Sequence, residues 1–171
     1  SEAKMPELGL PNTETVTPVP QELVAEKATE IGVDRIVPLL TDHCERRTLK
    51  TDRLEKVVTS AVKQSLKAYH PVVEPLTPLR EWVARPFDGV KLIAHCEKDM
   101  PRRFIGQLIS PGSRVTVLIG PEGDFSPEEI GLARQHGFAD ISLGRSRLRT
   151  ETAAVAAVAA VAFVNESYPK N

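Results

Sequence analysis

The chain has 171 residues, 41% of them apolar and 26% charged, the balance of one globular domain with a packed core. Its formal net charge of -1 supplies no overall field to draw nucleic acid, so such a partner would have to be met by a local patch. Cys44 and Cys96 fit no zinc or redox spacing and no basic-then-apolar leader is present, which predicts a cytoplasmic protein without a disulfide framework, a metal or a membrane anchor.

Residues 1–20 hold Pro6, Pro11, Pro18 and Pro20 among threonines and glutamates, with neither apolar period, and read as an unfolded linker or a remnant of cloning. The domain is expected over 21–171. Val24, Ala28 and Ile31 recur at helical spacing, with Pro20 suited to a first helical position and Gly32 to a stop, which predicts a helix over 21–31. "RIVPLL" (35–40) has strand length, and Leu54, Val57, Val58, Ala61, Val62 and Ser65 mark one face of a helix that Thr51 could cap.

The alternation continues with "VVEPL" near 72, a short helix around Trp82, the strand "VKLIAH" (90–95), a helical "RRFIGQLI" (102–109) and the strand "RVTVLIG" (114–120). Ser126, Pro127 and Glu129 combine an N-cap, proline at the first helical position and a capping box. "ADISLG" (139–144) reads as a last strand, and Thr150 or Thr152 opens a final helix. Strands alternating with helices, the later ones continuous apolar runs, predict an α/β fold with a mainly parallel sheet flanked by helices. The Ala/Val run at 153–164 is too short and too weakly apolar for a bilayer, which takes about 20 predominantly apolar residues, and reads as a buried small-residue helix.

In open α/β sheets ligands sit beyond the carboxyl ends of the strands, and three such ends stand out: "IAHCE" (93–97), "LIGPEGDFS" (118–126) and "ISLGRSRLRTET" (141–152). In the second, Gly120 and Gly123 allow close backbone approach, while Glu122, Asp124, Glu128 and Glu129 should repel phosphate. Neither a G-x-x-x-x-G-K-[ST] loop nor a G-x-G-x-x-G turn is present, so an ordinary nucleoside triphosphatase and a standard dinucleotide site are unsupported; "SAVK" (60–63) lacks the companion motifs of the S-x-x-K hydrolases. Positive charge gathers at Arg46, Arg47, Lys50, Arg53, Lys56, Lys63 and Lys67, at Arg102 and Arg103, and at Arg145, Arg147 and Arg149. The first group alone is equally a solvated helix surface; joined to the arginines of 145–149 it points to RNA.

"EKATEIGVDRIVPLL" (26–40), "KQSLKAYHP" (63–71), "LIGPEGDFSPEEI" (118–130) and "ISLGRSRLRTETAA" (141–154) together resemble the SPOUT class of S-adenosylmethionine-dependent RNA methyltransferases. Within it they are similar to the family that methylates N3 of a uridine in 16S ribosomal RNA of the small (30S) subunit. The resemblance implies a C-terminal trefoil knot, an exception to the rule that chains do not thread loops, and a homodimer. It implies S-adenosylmethionine held by Ala94, His95 and Cys96, by Leu118, Ile119, Gly120 and Gly123, and by Leu143, Gly144, Leu148, Thr150 and Thr152, much of it through backbone. Arg46, Arg47, Arg145 and Arg147 would face RNA. The family usually has glycine at position 124 and arginine at 146, where this chain has Asp124 and Ser146, and its members carry an N-terminal β-barrel RNA-binding domain that residues 1–20 cannot form.

For uridine N3 chemistry the base must be unpaired and lose a proton. Arg149 is the candidate to stabilise the resulting anion or fix a phosphate, against a structural salt bridge. Glu151 could take the proton, but it also suits the first turn of a helix, where a carboxylate favours the dipole. His95 is as readily a packed histidine as a ligand contact. Two further readings stay open: a non-catalytic RNA-binding or ribosome-assembly module with the same fold, and a SPOUT methyltransferase of another RNA target.

Overall fold

The structure, a computed structural model, describes residues 5–11, 20–43, 49, 51–95, 102–121, 123–145 and 147–166. Eight strands form one sheet: β1 (Glu7–Pro11), β2 (Arg35–Leu40), β3 (Val72–Val73), β4 (Thr77–Pro78), β5 (Val90–Ala94), β6 (Arg103–Phe104), β7 (Val115–Ile119) and β8 (Ala139–Ser142). Their order is β3-β2-β1-β7-β5-β8-β6, with β4 also beside β2, and every pairing among the described residues is parallel. The α-helices among the described residues are α1 (Pro20–Ile31), α2 (Asp52–Gln64), α3 (Leu79–Val83), α4 (Pro127–Gln135) and α5 (Thr150–Glu166). The α/β architecture expected from the alternation is the one observed.

A parallel sheet must be covered on both faces, and period-two alternation sorts its side chains between two cores. Leu8, Leu10, Ile36, Leu92, Val117, Ile119 and Ile141 point to the side of α1, α2 and α5, while Val37, Leu39, Ile93 and Leu118 point to the side of Trp82, Ile130, Ala133 and Phe138. On α5 the buried positions Thr150, Ala154, Ala157, Val158, Val161 and Asn165 follow helical spacing, and their small size lets the helix lie close to α1 and β7.

Two expectations are corrected. Residues 7–11, read as unfolded, form β1 in the middle of the sheet, Glu7 paired with Arg35 on one side and Thr116 on the other. Leu8 and Leu10 enter one core, and Gly9 lies so close to Trp82 that a Cβ would stand 2.7 Å from Cη2; the strand is short and its middle residue has no side chain, so it shows almost no apolar period. The segment 102–109 is not helical but is β6 followed by a 3-10 turn at Ile105–Gln107. Its helix-like spacing comes from Ile105 and Ile109, both buried in the core that α5 shares. Thr51 does precede α2, but without a side-chain cap bond, whereas Ser126 and Glu129 make both bonds of the capping box at α4.

Candidate functional site

The carboxyl ends of β5, β7 and β8 open on one cavity of about 610 Å³, closed on the far side by the start of α5. Ala94, Ile119 and Ile141 are its floor; Gly120, Pro121 and Asp124 form one wall, and Ser142, Leu143, Gly144, Leu148, Thr150 and Ala153 the other. Two hydrogen bonds hold these ends in register. Gly120 N–H donates to the Ala94 carbonyl at 3.2 Å, and the buried Thr150 hydroxyl donates to the Gly120 carbonyl at 2.8 Å, joining the first residue of α5 to the end of β7. The carbonyl of Arg149 accepts from Ala153 N–H, so Arg149 immediately precedes the helix and lines the cavity.

Behind the floor, on the α4 side, lies a hydrogen-bonded chain of three residues. His95 Nε2 is 2.6 Å from Asp140 Oδ1, and Arg134 grips the same carboxylate with Nε to Oδ2 at 3.0 Å and Nη2 to Oδ1 at 3.1 Å. Burial alone would raise the Asp140 pKa, but the hydrogen bonds from Arg134 and then His95 outweigh it and hold the carboxyl below its ordinary value of 3.8. The His95 side chain is 0% exposed, so what it offers the cavity is main chain, and its carbonyl accepts from Arg102 Nη1 at 2.7 Å.

The wall at 120–124 is a tight turn in which Asp124 N–H donates to the Pro121 carbonyl at 2.8 Å. Asp124 has φ +61°, the left-handed region that aspartate tolerates better than most residues, and its Oδ1 accepts from Phe125 N–H at 2.9 Å. A glycine-favouring conformation at 124 is therefore kept by a residue that can supply its own local bond. Gly144, at φ +120°, holds a backbone conformation that residues with side chains rarely adopt, and a Cβ there would meet nothing within 4 Å.

Four exposed arginines, Arg102, Arg145, Arg147 and Arg149, border the cavity, with Asp124 the carboxylate in the described walls. The mouth is thus locally positive although the chain is near neutral.

Residues 16–162 match the family described as the RNA methyltransferase domain. The chain belongs to that family. It is 33% identical over 142 residues to the ribosomal RNA small subunit methyltransferase E of Rickettsia conorii, covering 81% of this chain and 57% of the relative. Among solved structures, a "probable rRNA-methyltransferase" from Porphyromonas gingivalis superposes with TM-score 0.87 and 38% identity, over 99% of this chain and 72% of that one. The ribosomal RNA small subunit methyltransferase E of Neisseria gonorrhoeae, bound to S-adenosyl methionine, superposes with TM-score 0.80 and 29% identity, over 94% and 66%. The chain spans between half and three-fifths of the length of the first three curated relatives it matches.

In this RNA methyltransferase domain the structure gathers Ala94, His95, Ile119, Gly120, Leu143, Gly144, Leu148 and Thr150 around one cavity, with Arg145, Arg147 and Arg149 at its edge. Four expected residues are not in its walls. Leu118 points to the opposite core because strand side chains alternate; Gly123 lies against His43; Thr152 is exposed; and Glu151 is turned aside in the first turn of α5. Cys96, Arg46, Arg47, Glu122 and Ser146 lie outside the described residues. Sequence reasoning gave Arg102, Asp140 and Arg134 no role in the site. Arg102 was visible only as part of a basic cluster, and Asp140 and Arg134 gain their meaning from the pairing of β5 with β8.

Proposed function

We propose that this domain transfers a methyl group from S-adenosylmethionine to N3 of a uridine in small-subunit ribosomal RNA, acting as a cytoplasmic homodimer on 30S subunits. The observation that carries the reading is the cavity at the ends of β5, β7 and β8. Its volume of about 610 Å³ falls in the range of about 300–1,000 Å³ that takes a cofactor-sized ligand. The walls suit such a ligand, because Gly120 and Gly144 present bare main chain there. Its positive rim suits an RNA phosphate better than it suits a sulfonium. A trefoil knot agrees with the bond from Thr150 to Gly120, which sets the loop before α5 against the end of β7.

When bound, the cofactor supplies an electrophilic methyl on sulfur. The chain's part is to hold the base unpaired at the cavity mouth and favour loss of the N3 proton. Arg149 stabilises the uridine anion as it forms: guanidinium is permanently charged, and this one sits at the helix start beside the cavity. Glu151 stands aside from the cavity walls and suits the α5 dipole. The outer face of α5 supports dimerisation: no charged residue occurs between Thr152 and Glu166, and Phe163 is 74% exposed.

The test is mass spectrometry of nucleosides after incubating the chain and S-adenosylmethionine with undermodified small subunits. The expected product is a uridine methylated on N3. A ribose-methylated nucleoside, or no product from a chain that binds the cofactor, overturns the assignment.

A further inference from the structure

His43 belongs to no part of the chemistry described so far, yet it touches the cavity's most constrained wall. It stands just past β2, exposed, with Nδ1 2.9 Å from the Gly123 carbonyl and 2.9 Å from the Asp124 carbonyl. Both partners are acceptors, so Nδ1 carries the proton and donates to both. A Cβ on Gly123 would lie 3.3 Å from the His43 Cβ, so the glycine accommodates the close approach of the histidine's first side-chain carbon. The neighbouring residue reinforces the join: Asp42 N–H donates to Glu129 Oε2 at 3.0 Å, and Ser126 Oγ donates to Asp42 Oδ2 at 2.6 Å. Segment 42–43 is thus bolted to 123–129 by four hydrogen bonds, two of them to side chains that also cap α4.

We propose that His43 is a positioning residue for the cofactor, a clamp that holds the Pro121–Asp124 turn closed as a wall of the cavity. The inference rests on the cofactor reading above for its consequence, but not for the clamp itself. On the cavity side the turn presents Gly120, Pro121 and Asp124; on the outer side its two consecutive carbonyls are drawn to one donor. Asp124 holds a left-handed conformation there, which ordinary residues adopt only at a cost, and an external bond to its carbonyl favours that conformation over its alternatives. The bonds to the Gly123 and then the Asp124 carbonyl also raise the His43 pKa above its ordinary 6.5. The charged groups facing it are Glu129 on α4 and Asp42 on its own segment, with Arg80 from α3 reaching Asp42 at 3.2 Å. Because the folded pKa is raised, the clamp is strongest below it and weakens as pH rises through it.

Three variants of the full chain test this: His43→Asn, whose amide nitrogen reproduces the Nδ1 donor without titrating, His43→Ala, and His43→Asp, which sets an acceptor against two acceptors. Amide hydrogen exchange at Asp124 and Phe125 is read without ligand, and the dissociation constant for S-adenosylmethionine by calorimetry across pH 5.5 to 8.5. Expected are faster exchange and about three- to tenfold weaker binding in H43A, worse in H43D, and near wild-type values with a flat pH profile in H43N. Wild-type affinity should fall toward high pH. Exchange in H43A equal to wild type overturns the clamp. Altered exchange with unchanged affinity overturns its role toward the cofactor. A wild-type chain that binds no cofactor but shows the exchange difference overturns the cofactor reading and supports the clamp.

Discussion

Replacing Gly9 with alanine separates a buried central strand from a loose linker. A Cβ there would lie 2.7 Å from Trp82 Cη2, 2.9 Å from Cζ3 and 3.1 Å from Leu39 Cδ1, well inside the ordinary carbon separation of about 3.5–4.0 Å. Trp82 has little room to yield: it is 4% exposed and its ring packs on Phe138 with centroids 5.8 Å apart. Overpacking of this kind costs about 1–3 kcal/mol. For a domain of this size that is a fall in Tm of about 2–4 °C per kcal/mol, or about 2–12 °C in all. In an unpacked segment the same change would leave stability within about 0.5 kcal/mol. In an unobstructed ordered site it would stabilise by about 0.4–1 kcal/mol. Gly131→Ala is the internal control, since its Cβ would meet nothing within 4 Å in the middle of α4, and it should raise stability by about 0.5–1 kcal/mol. Thermal and urea unfolding followed by circular dichroism reads both. A Gly9→Ala chain as stable as wild type would refute the placement of β1 against Trp82.

Asp140→Ala leaves the sealed His95 without its acceptor, for about 1–3 kcal/mol, with little added by Arg134, whose side chain is 32% exposed. Because the folded pKa of Asp140 is depressed, its contribution is full above the ordinary 3.8 and fades as pH falls through and below that value. The stability gap between wild type and variant should therefore close in acid, and a gap that widens there would contradict the pairing. Thr150→Val removes the buried bond to the Gly120 carbonyl and should cost about 1 kcal/mol, read as a Tm lower by about 2–4 °C. Gly120→Val places its Cβ 3.2 Å from Asp124 Oδ1 and 3.3 Å from the Ala94 carbonyl, with two methyls beyond. Calorimetry should show S-adenosylmethionine affinity lower by at least about tenfold, about 1.4 kcal/mol, and unchanged affinity would move the cofactor out of this cavity.

The features legible in the sequence are those written in local chemistry. The start of α4 is one, because Ser126, Pro127 and Glu129 each answer a need of the same helix end. The cavity is another, since glycines and prolines following continuous apolar runs mark strand ends in any parallel sheet. What stayed hidden depends on partners distant in the chain. Gly9 is a strand residue because Trp82 lies above it, and Gly123 is a glycine with His43 beside it, contacts that no window of sequence contains. The resemblance implies Leu118 at the cofactor, and alternation along β7 turns its side chain to the opposite core, which leaves its main chain as the part that can face the cavity end.

The acidic run after β7 shows how a count of charges can mislead about a field. "GPEGDFSPEE" looks hostile to phosphate, yet in the fold two of its carboxylates, Asp124 and Glu129, are committed to internal bonds. Glu129 is 1% exposed and accepts from the amides of Ser126 and Asp42, and Asp124 accepts from Phe125 N–H. The same holds across the floor, where Asp140 is held by His95 and Arg134. Acid engaged in holding the turns and strand ends leaves Arg102, Arg145, Arg147 and Arg149 as the exposed charge at the mouth. A near-neutral chain can therefore offer an RNA phosphate a positive edge, and raising salt should weaken RNA binding in the wild-type chain more steeply than in an Arg145→Gln, Arg147→Gln variant.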